Sequence, residues 1–352
     1  MQGPSLREFF QVCVLEIYAM KRTNSLFHVL FFFLFLLSCP TVFASDSLDE
    51  IEEYQSSFDR ALTTSPVPFP TEEIVDLTSL PFMTIDPDGA QDLDDALYVE
   101  KEGEDAYHIA IAIADPTYYI QPHSSIAKEA RRRSFTIYGQ GAPIPMLPSK
   151  LVRACSLEQG KKRSALIVDL YIDKNGNFQD VPTIYRALIC SQNKVSYAFA
   201  NAIYEGKWFS LINPDLKNRL FLAQEAAQAL KSYYSKDREI VRSQDVVSEF
   251  MTAANNAAAI VLKKRIEESV IKKAVFRAQD AVGSRALYSS TSSFHASFDL
   301  AYTHFTSPVR RYADMMVHWL LFYPGYEFSD TTLDYMNRQQ EGLKISSSFA
   351  GY

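Results

Sequence analysis

The stretch Thr84-Ile85-Asp86-Pro87-Asp88-Gly89-Ala90-Gln91-Asp92-Leu93-Asp94-Asp95-Ala96 decides how this chain reads. It continues the apolar run Phe82-Met83-Thr84-Ile85, a short strand by composition, and Asp86-Pro87-Asp88-Gly89 is a turn. From Asp86 to Asp95 the chain carries carboxylates at 86, 88, 92, 94 and 95. Held together they repel one another, and a divalent cation would remove that repulsion. Donors that are all hard oxygen favour Mg²⁺, with Mn²⁺ also admissible. An EF-hand is excluded, because counting from Asp86 puts Gln91 where glycine is needed and Leu97 where the bidentate glutamate belongs. The alternative reading of the same spacing is an acidic surface loop. Mg²⁺ held by carboxylates commonly serves phosphoryl transfer or phosphodiester hydrolysis.

Working outward, Leu97-Tyr98-Val99 and Tyr107 through Ala114 read as two strands joined by a polar turn at 101–105. The second is apolar on both faces, as a buried central strand would be. A helix is expected over Ser124–Phe135, a Pro-rich loop over 142–148, and a strand from Ser164 to Ile172 that ends at Asn175-Gly176. Residues 212–232 and 243–265 read as helices, the latter with Val246, Val247, Phe250, Met251 and Ala254 as its apolar stripe. Ser307-Pro308 predicts an N-cap and first helical position, followed by a buried face of Val309, Tyr312, Ala313, Met316, Val317 and Leu320. Strands and helices mix without a regular alternation. This predicts an α+β domain rather than a doubly wound sheet.

The 352 residues include 47% hydrophobic and 22% charged, enough for a substantial core and too apolar for a disordered chain. Thirty-five basic against 42 acidic residues leave a net charge of -7, which argues against coating nucleic acid by bulk charge. Cysteines at 13, 39, 155 and 190 support neither a disulfide framework nor a CxxC zinc site. Met20-Lys21-Arg22, the apolar run 26–37 and Val42-x-Ala44 together resemble a signal peptide cleaved after Ala44. The expected organisation is an extension at 1–19, a signal-like segment at 20–44, an acidic lead-in at 45–79 with a helix at 48–62, and one folded domain at 80–352. Export or envelope anchoring follows from that start, with membrane contact only through 26–37.

Neither a Walker loop nor GxGxxG before a helix occurs, so nucleotide binding of those kinds is not supported. Cationic partners for phosphates do occur. Arg131-Arg132-Arg133 and Lys161-Lys162-Arg163 read first as solvated faces, whereas Arg310 and Arg311 fall in the first turns of the expected helix, where N–H groups favour an anion. Asp314 and His318, four apart on one helical face, read as structural, and Cys155 as buried.

Several motifs in order carry a resemblance: Thr84 to Ala96, His108-Ile109-Ala110, Ala114-Asp115, and Arg133-Ser134-Phe135-Thr136-Ile137-Tyr138 with Ile144-Pro145-Met146-Leu147-Pro148. Cys155-Ser156-Leu157, Glu249-Phe250-Met251 with Ala254-Asn255, and Phe276-Arg277 follow. Tyr302-Thr303-His304-Phe305-Thr306-Ser307-Pro308-Val309-Arg310-Arg311-Tyr312, with Asp314 and His318, is the strongest. Together they resemble the catalytic domain of the ribonuclease II / ribonuclease R family, over about residues 80–345. The resemblance implies a single α+β domain with a mixed β-sheet and surrounding helices, acting as a Mg²⁺-dependent 3′→5′ exoribonuclease on single-stranded RNA. It implies release of nucleoside 5′-monophosphates, little action on DNA, and a cytoplasmic setting at odds with the signal-like start.

By the same resemblance Asp86, Asp92, Asp94 and Asp95 are the metal and catalytic set, and Arg310 sits at the scissile phosphate with Arg311 beside it. Tyr138 matches the ring that stacks on the 3′-terminal base, and Glu249 an acid that contacts substrate. Against the family pattern, the expectation is that paired cold-shock-like domains do not precede Asp86 and a barrel does not follow 352. Its final helix also lacks an expected Ala-Glu pair, since Ile345 and Ser346 fall there. Slow turnover is expected from that loss. The rival expectation is a weak or inactive RNA-binding remnant.

Overall fold

The computed structural model describes residues 74–90, 92–138, 144–207, 212–234 and 240–349, with helix side chains to 233 and 342 in the last two spans. The signal-like segment, the extension before it and the helix expected at 48–62 lie outside these residues. Seven strands form one mixed sheet: β1 (Val75–Asp76), β2 (Met83–Asp86), β3 (Asp95–Glu102), β4 (Ala106–Ala114), β5 (Lys162–Asp173), β6 (Thr183–Cys190) and β7 (Asn193–Ser196). Their spatial order is β1-β6-β5-β4-β3-β2-β7. The β3-β4-β5-β6 core is antiparallel, while β1 joins β6 and β7 joins β2 in parallel. β4 is the middle strand, as its two apolar faces require, and Ile109, Ile111 and Ile113 are fully buried. Each such side chain contributes about 1.5–3 kcal/mol of burial free energy.

The hairpin from β5 to β6 turns at Gly176, whose φ is +82°. A Cβ there would collide with the backbone of Ala229, so glycine serves both the turn and a close approach to a helix. The helices are α1 (Ser125–Arg133), α2 (Ser149–Cys155), α3 (Tyr197–Tyr204), α4 (Pro214–Tyr234), α5 (Ser243–Glu267), α6 (Tyr312–Phe322) and α7 (Asp330–Phe349). Ser124 caps α1 by accepting from the Ala127 N–H at 3.2 Å. α5 is deeply set: Val246, Phe250, Ala253, Ala254, Ala257 and Ala258 are all fully buried.

Two expectations change. α2 forms directly after the Pro-rich loop, where no helix was expected, because Leu151 and Cys155 both find core beneath them. α6 starts at Tyr312 rather than at Ser307-Pro308, and all of its residues are buried instead of one face. It is an interior helix, and Trp319 crosses from it to donate a 3.0 Å hydrogen bond to the Ile120 carbonyl. Four short strands, β8 (Phe276–Ala278), β9 (Leu287–Ser289), β10 (Phe294–His295) and β11 (Leu300–Ala301), form two small ribbons before it.

Candidate active site

β2 ends on Asp86 and β3 begins on Asp95, so the acidic loop is fixed at both ends by the sheet. Its middle is pinned by Leu93, which is 2% exposed. The Leu93 N–H donates to Ser156 Oγ at 3.0 Å, and its carbonyl accepts from the Leu157 N–H at 3.0 Å. The Asp94 carbonyl accepts from Ala114 at 2.8 Å, and Lys194 Nζ donates to the Ala90 carbonyl at 2.6 Å. An acidic surface loop would have none of these anchors.

Asp86 and Asp94 are buried without adequate compensation. Asp86 and Asp94 are 8% and 7% exposed, and Asp86 Oδ2 and Asp94 Oδ1 have no hydrogen-bond partner among the described residues. Burial pushes Asp86 up to about 6, with Thr84 and Lys194 opposing and Asp92 adding repulsion. Burial likewise raises Asp94 to about 7, against the pull of Arg310. Asp95 lies well above the usual range, first from burial and then from repulsion by Asp86 and Asp94. Asp92, which is exposed, stands at the mouth of the group.

Arg310 faces this group. Its Nε donates to Asp94 Oδ2 at 3.2 Å and its Nη2 to Ser307 Oγ at 2.8 Å, while 42% of the side chain stays exposed. Contrary to the sequence expectation, Arg310 and Arg311 lie outside the first turns of α6: Arg311 is its N-cap and Arg310 precedes it. The Tyr312 N–H and the Arg310 carbonyl are taken by Ser134 and Thr136, and Asp314, fully buried in the first turn, accepts at Oδ1 from the Ser307 N–H at 2.8 Å and from Arg311 Nη2 at 2.7 Å. Arg311 is drawn into extended backbone (φ −136°, ψ 123°) by an antiparallel bridge to Phe135. Its guanidinium is thereby directed at Asp314.

Tyr138 is 59% exposed, and its hydroxyl is shifted upward by burial, countered by Arg310 and reinforced by Asp92 and Asp94. An exposed ring within electrostatic reach of those groups can stack on a planar ligand. Glu249 lies on α5, where burial raises its pKa and Lys231 stands 3.7 Å away. The sequence reading missed Lys194 and Tyr197. Lys194 offsets charge on Asp86, and the Tyr197 phenol is pushed up by burial and then by Asp95 and Asp86. Neither carries a local signal, because parallel pairing of β7 with β2 brings them there from far along the chain. Arg277 lies over the Tyr288 ring at 4.6 Å and donates to Gln340 Oε1 at 2.9 Å. His304 is held well below its usual range by burial and by Arg311 and Arg277, so it is neutral where Tyr288 Oη meets its Nδ1 at 2.9 Å.

Among the described residues, no three His, Cys, Asp or Glu side chains converge closely enough to hold a metal ion as they stand. The donor chemistry nonetheless fits a hard divalent cation, because unpartnered buried oxygens of Asp86 and Asp94 sit beside repelling Asp95.

The RNB domain model matches residues 74–282 and 267–323. The chain belongs to the RNB-domain family. An exoribonuclease 2 of Edwardsiella piscicida is 28% identical over 321 residues, covering 70% of this chain and 50% of the relative. The chain spans half or less of the relatives it matches, 21% of one from Psychromonas ingrahamii. Among solved structures, Mycoplasma genitalium RNase R in complex with ribose-methylated single-stranded RNA superposes with TM-score 0.71 at 22% identity, covering 85% of this chain and 60% of that one. Yeast Ssd1, a pseudonuclease, superposes with TM-score 0.64 at 16% identity, covering 79% and 44%. The RNB fold is therefore shared by this chain, an RNase R and a pseudonuclease. Among the described residues no helix is long and apolar enough to cross a membrane.

Proposed function

We propose that this RNB-domain protein is a divalent-cation-dependent 3′→5′ exoribonuclease that hydrolyses single-stranded RNA to nucleoside 5′-monophosphates. The observation that carries the reading is the group of buried, mutually repelling carboxylates facing the half-exposed Arg310. Asp86, Asp92, Asp94 and Asp95 would hold Mg²⁺ or Mn²⁺. When bound, the ion supplies Lewis-acid activation of water and of the phosphodiester. Tyr138 stacks on the 3′-terminal base without reading its identity. Arg310 meets the phosphate with charge-assisted hydrogen bonds, and Asp94 holds its Nε in place. Glu249 and Arg311 contact neighbouring parts of the substrate in this reading. The 2′-hydroxyl separates RNA from DNA, which is a poor substrate.

A second reading is an RNA-binding protein with little hydrolysis. It is favoured by Ile345-Ser346 in α7 and by the pseudonuclease that shares the fold. The deciding experiment incubates the full chain with Mg²⁺ and a 5′-labelled oligoribonucleotide. A ladder shortening from the 3′ end supports the exonuclease. Binding without cleavage, unchanged in Asp94→Asn, supports the second reading, and internal cuts overturn both. The segment 20–44 directs export in this proposal. N-terminal sequencing that begins at Ser45 in an envelope fraction supports it, and an intact 20–44 in a soluble fraction overturns it.

A further inference from the structure

Tyr138 and Arg310 are far apart in sequence, yet one small clasp of backbone carries both. The Thr136 N–H donates to the Arg310 carbonyl at 3.0 Å, and Phe135 bridges Arg311. On the other side, Ile137 and Ile144 exchange hydrogen bonds of 2.9 and 3.0 Å, and the Met146 N–H donates to Thr136 Oγ1 at 3.0 Å. Where this clasp leaves α1, the chain turns at Ser134. Ser134 is fully buried and has φ +61° with ψ −35°, a backbone state that a residue with a Cβ rarely adopts.

Three hydrogen bonds hold it there. Its N–H donates to the Ala130 carbonyl at 2.8 Å, and its carbonyl accepts from the Tyr312 N–H at 2.9 Å. Its Oγ donates to the Arg131 carbonyl at 2.9 Å, so the side chain itself locks the turn. The first and third bonds tie Ser134 to the end of α1, and the second ties it to the start of α6. Its conformation thus sets how the strand bearing Tyr138 lies against the segment bearing Arg310.

We propose that Ser134 is a positioning residue that fixes the spacing between the Tyr138 ring and the Arg310 guanidinium, so that terminal base and phosphate are gripped as one unit. The inference rests on the exoribonuclease reading of the site and assigns a residue outside its contacts. Glycine accepts the positive φ without strain but cannot make the Oγ bond. Ser134→Gly therefore separates a structural role from a positioning one: a purely structural role predicts equal or better behaviour, and positioning predicts a looser grip.

The test uses the full chain in EDTA, so that RNA is bound but not consumed, with a single-stranded oligoribonucleotide carrying 2-aminopurine at its 3′ end. Stacking on Tyr138 is read as fluorescence quenching, and Tm is measured in parallel. Ser134→Gly is expected to keep or raise Tm while weakening RNA binding about five- to tenfold, the scale of one lost hydrogen bond. In a Tyr138→Ala background the same substitution should change affinity by less than about twofold, because nothing is left to align. Unchanged affinity in Ser134→Gly beside a quenching wild type overturns the positioning role alone. An equal loss in both backgrounds also overturns it, in favour of general support of the fold. Absence of quenching in the wild type overturns the assignment of Tyr138 to the terminal base, and this proposal with it.

Discussion

Two groups of buried carboxylate flank the same end of β4, where the Asp94 carbonyl accepts from Ala114 and Asp115 follows directly, and they behave in opposite ways. Asp115, just past the strand, is fully buried, yet Arg186 Nε donates to its Oδ2 at 2.6 Å and the Tyr118 N–H to its Oδ1 at 3.1 Å. Burial alone would raise its pKa, but Arg186, then His318 and Thr117, outweigh it and hold the carboxyl below the usual range. Asp86 and Asp94 are nearly as buried, but they share one half-exposed guanidinium on Asp94, and their pKa values move up. Compensated charge of the first kind stabilises a fold. Uncompensated charge of the second kind costs stability and is retained where a ligand completes it.

The comparison breaks most sharply if the two groups respond alike to loss of a carboxylate. Asp94→Asn is expected to lower RNA hydrolysis on the order of a thousandfold or more, in single-turnover assays, while the protein remains folded. Asp115→Asn should instead act on stability, by about 3–5 kcal/mol in urea unfolding, because it leaves Arg186 buried without its charge partner. The sign with pH follows: a depressed carboxyl pKa gives stability that is present above the unfolded value near pH 4 and is lost as pH falls toward the lower folded value. Asp115→Asn should therefore flatten the acid limb of the stability curve.

Adding metal sharpens the contrast further. Mg²⁺ at about a hundredfold over its Kd should stabilise the protein by about 2.7 kcal/mol, measured by thermal unfolding, and Asp94→Asn should abolish that gain. Asp169→Asn, in β5 and outside the acidic loop, should leave it intact. The smallest effect belongs to the His108–Asp169 pair, 2.6 Å apart, with the imidazole stacked on Tyr171 at 4.5 Å. The hydrogen bond to Asp169 raises the His108 pKa against the opposing effect of burial. Its contribution is present below the unfolded value of about 6.5 and is lost as pH rises through the elevated folded value. Wild type should lose about 1 kcal/mol or less between about pH 5.5 and about pH 8.5, relative to Asp169→Asn.

Much of the fold was legible because its signals are local. The alternation in Tyr107–Ala114 announces a strand apolar on both faces, and β4 is indeed the middle of seven. Ser124 marks the start of α1, and the length of the apolar pattern from 243 matches α5 to within two residues at its end. Ser307-Pro308 carried an equally good local signal and misled. The Phe135 bridge takes the Tyr312 N–H and the Arg310 carbonyl that a helix continuing from Ser307 would need, and its partner lies far back in the chain.

By itself the sequence determined the strand that leads into Asp86, the clustering of carboxylates from Asp86 to Asp95, and the order of motifs that carries the family. Spacing within a few residues is enough for those, because period and charge density are properties of adjacent positions. Only the tertiary structure decided that Arg310 reaches Asp94, that Lys194 and Tyr197 join the acidic group, and that Ser134 and Thr136 bond to the backbone of Tyr312 and Arg310. Burial and pairing across 104 to 216 residues of chain are set by how the sheet and helices close on one another. The upward shift of the acidic group, which most distinguishes it from a solvated loop, exists only once that closure has removed water.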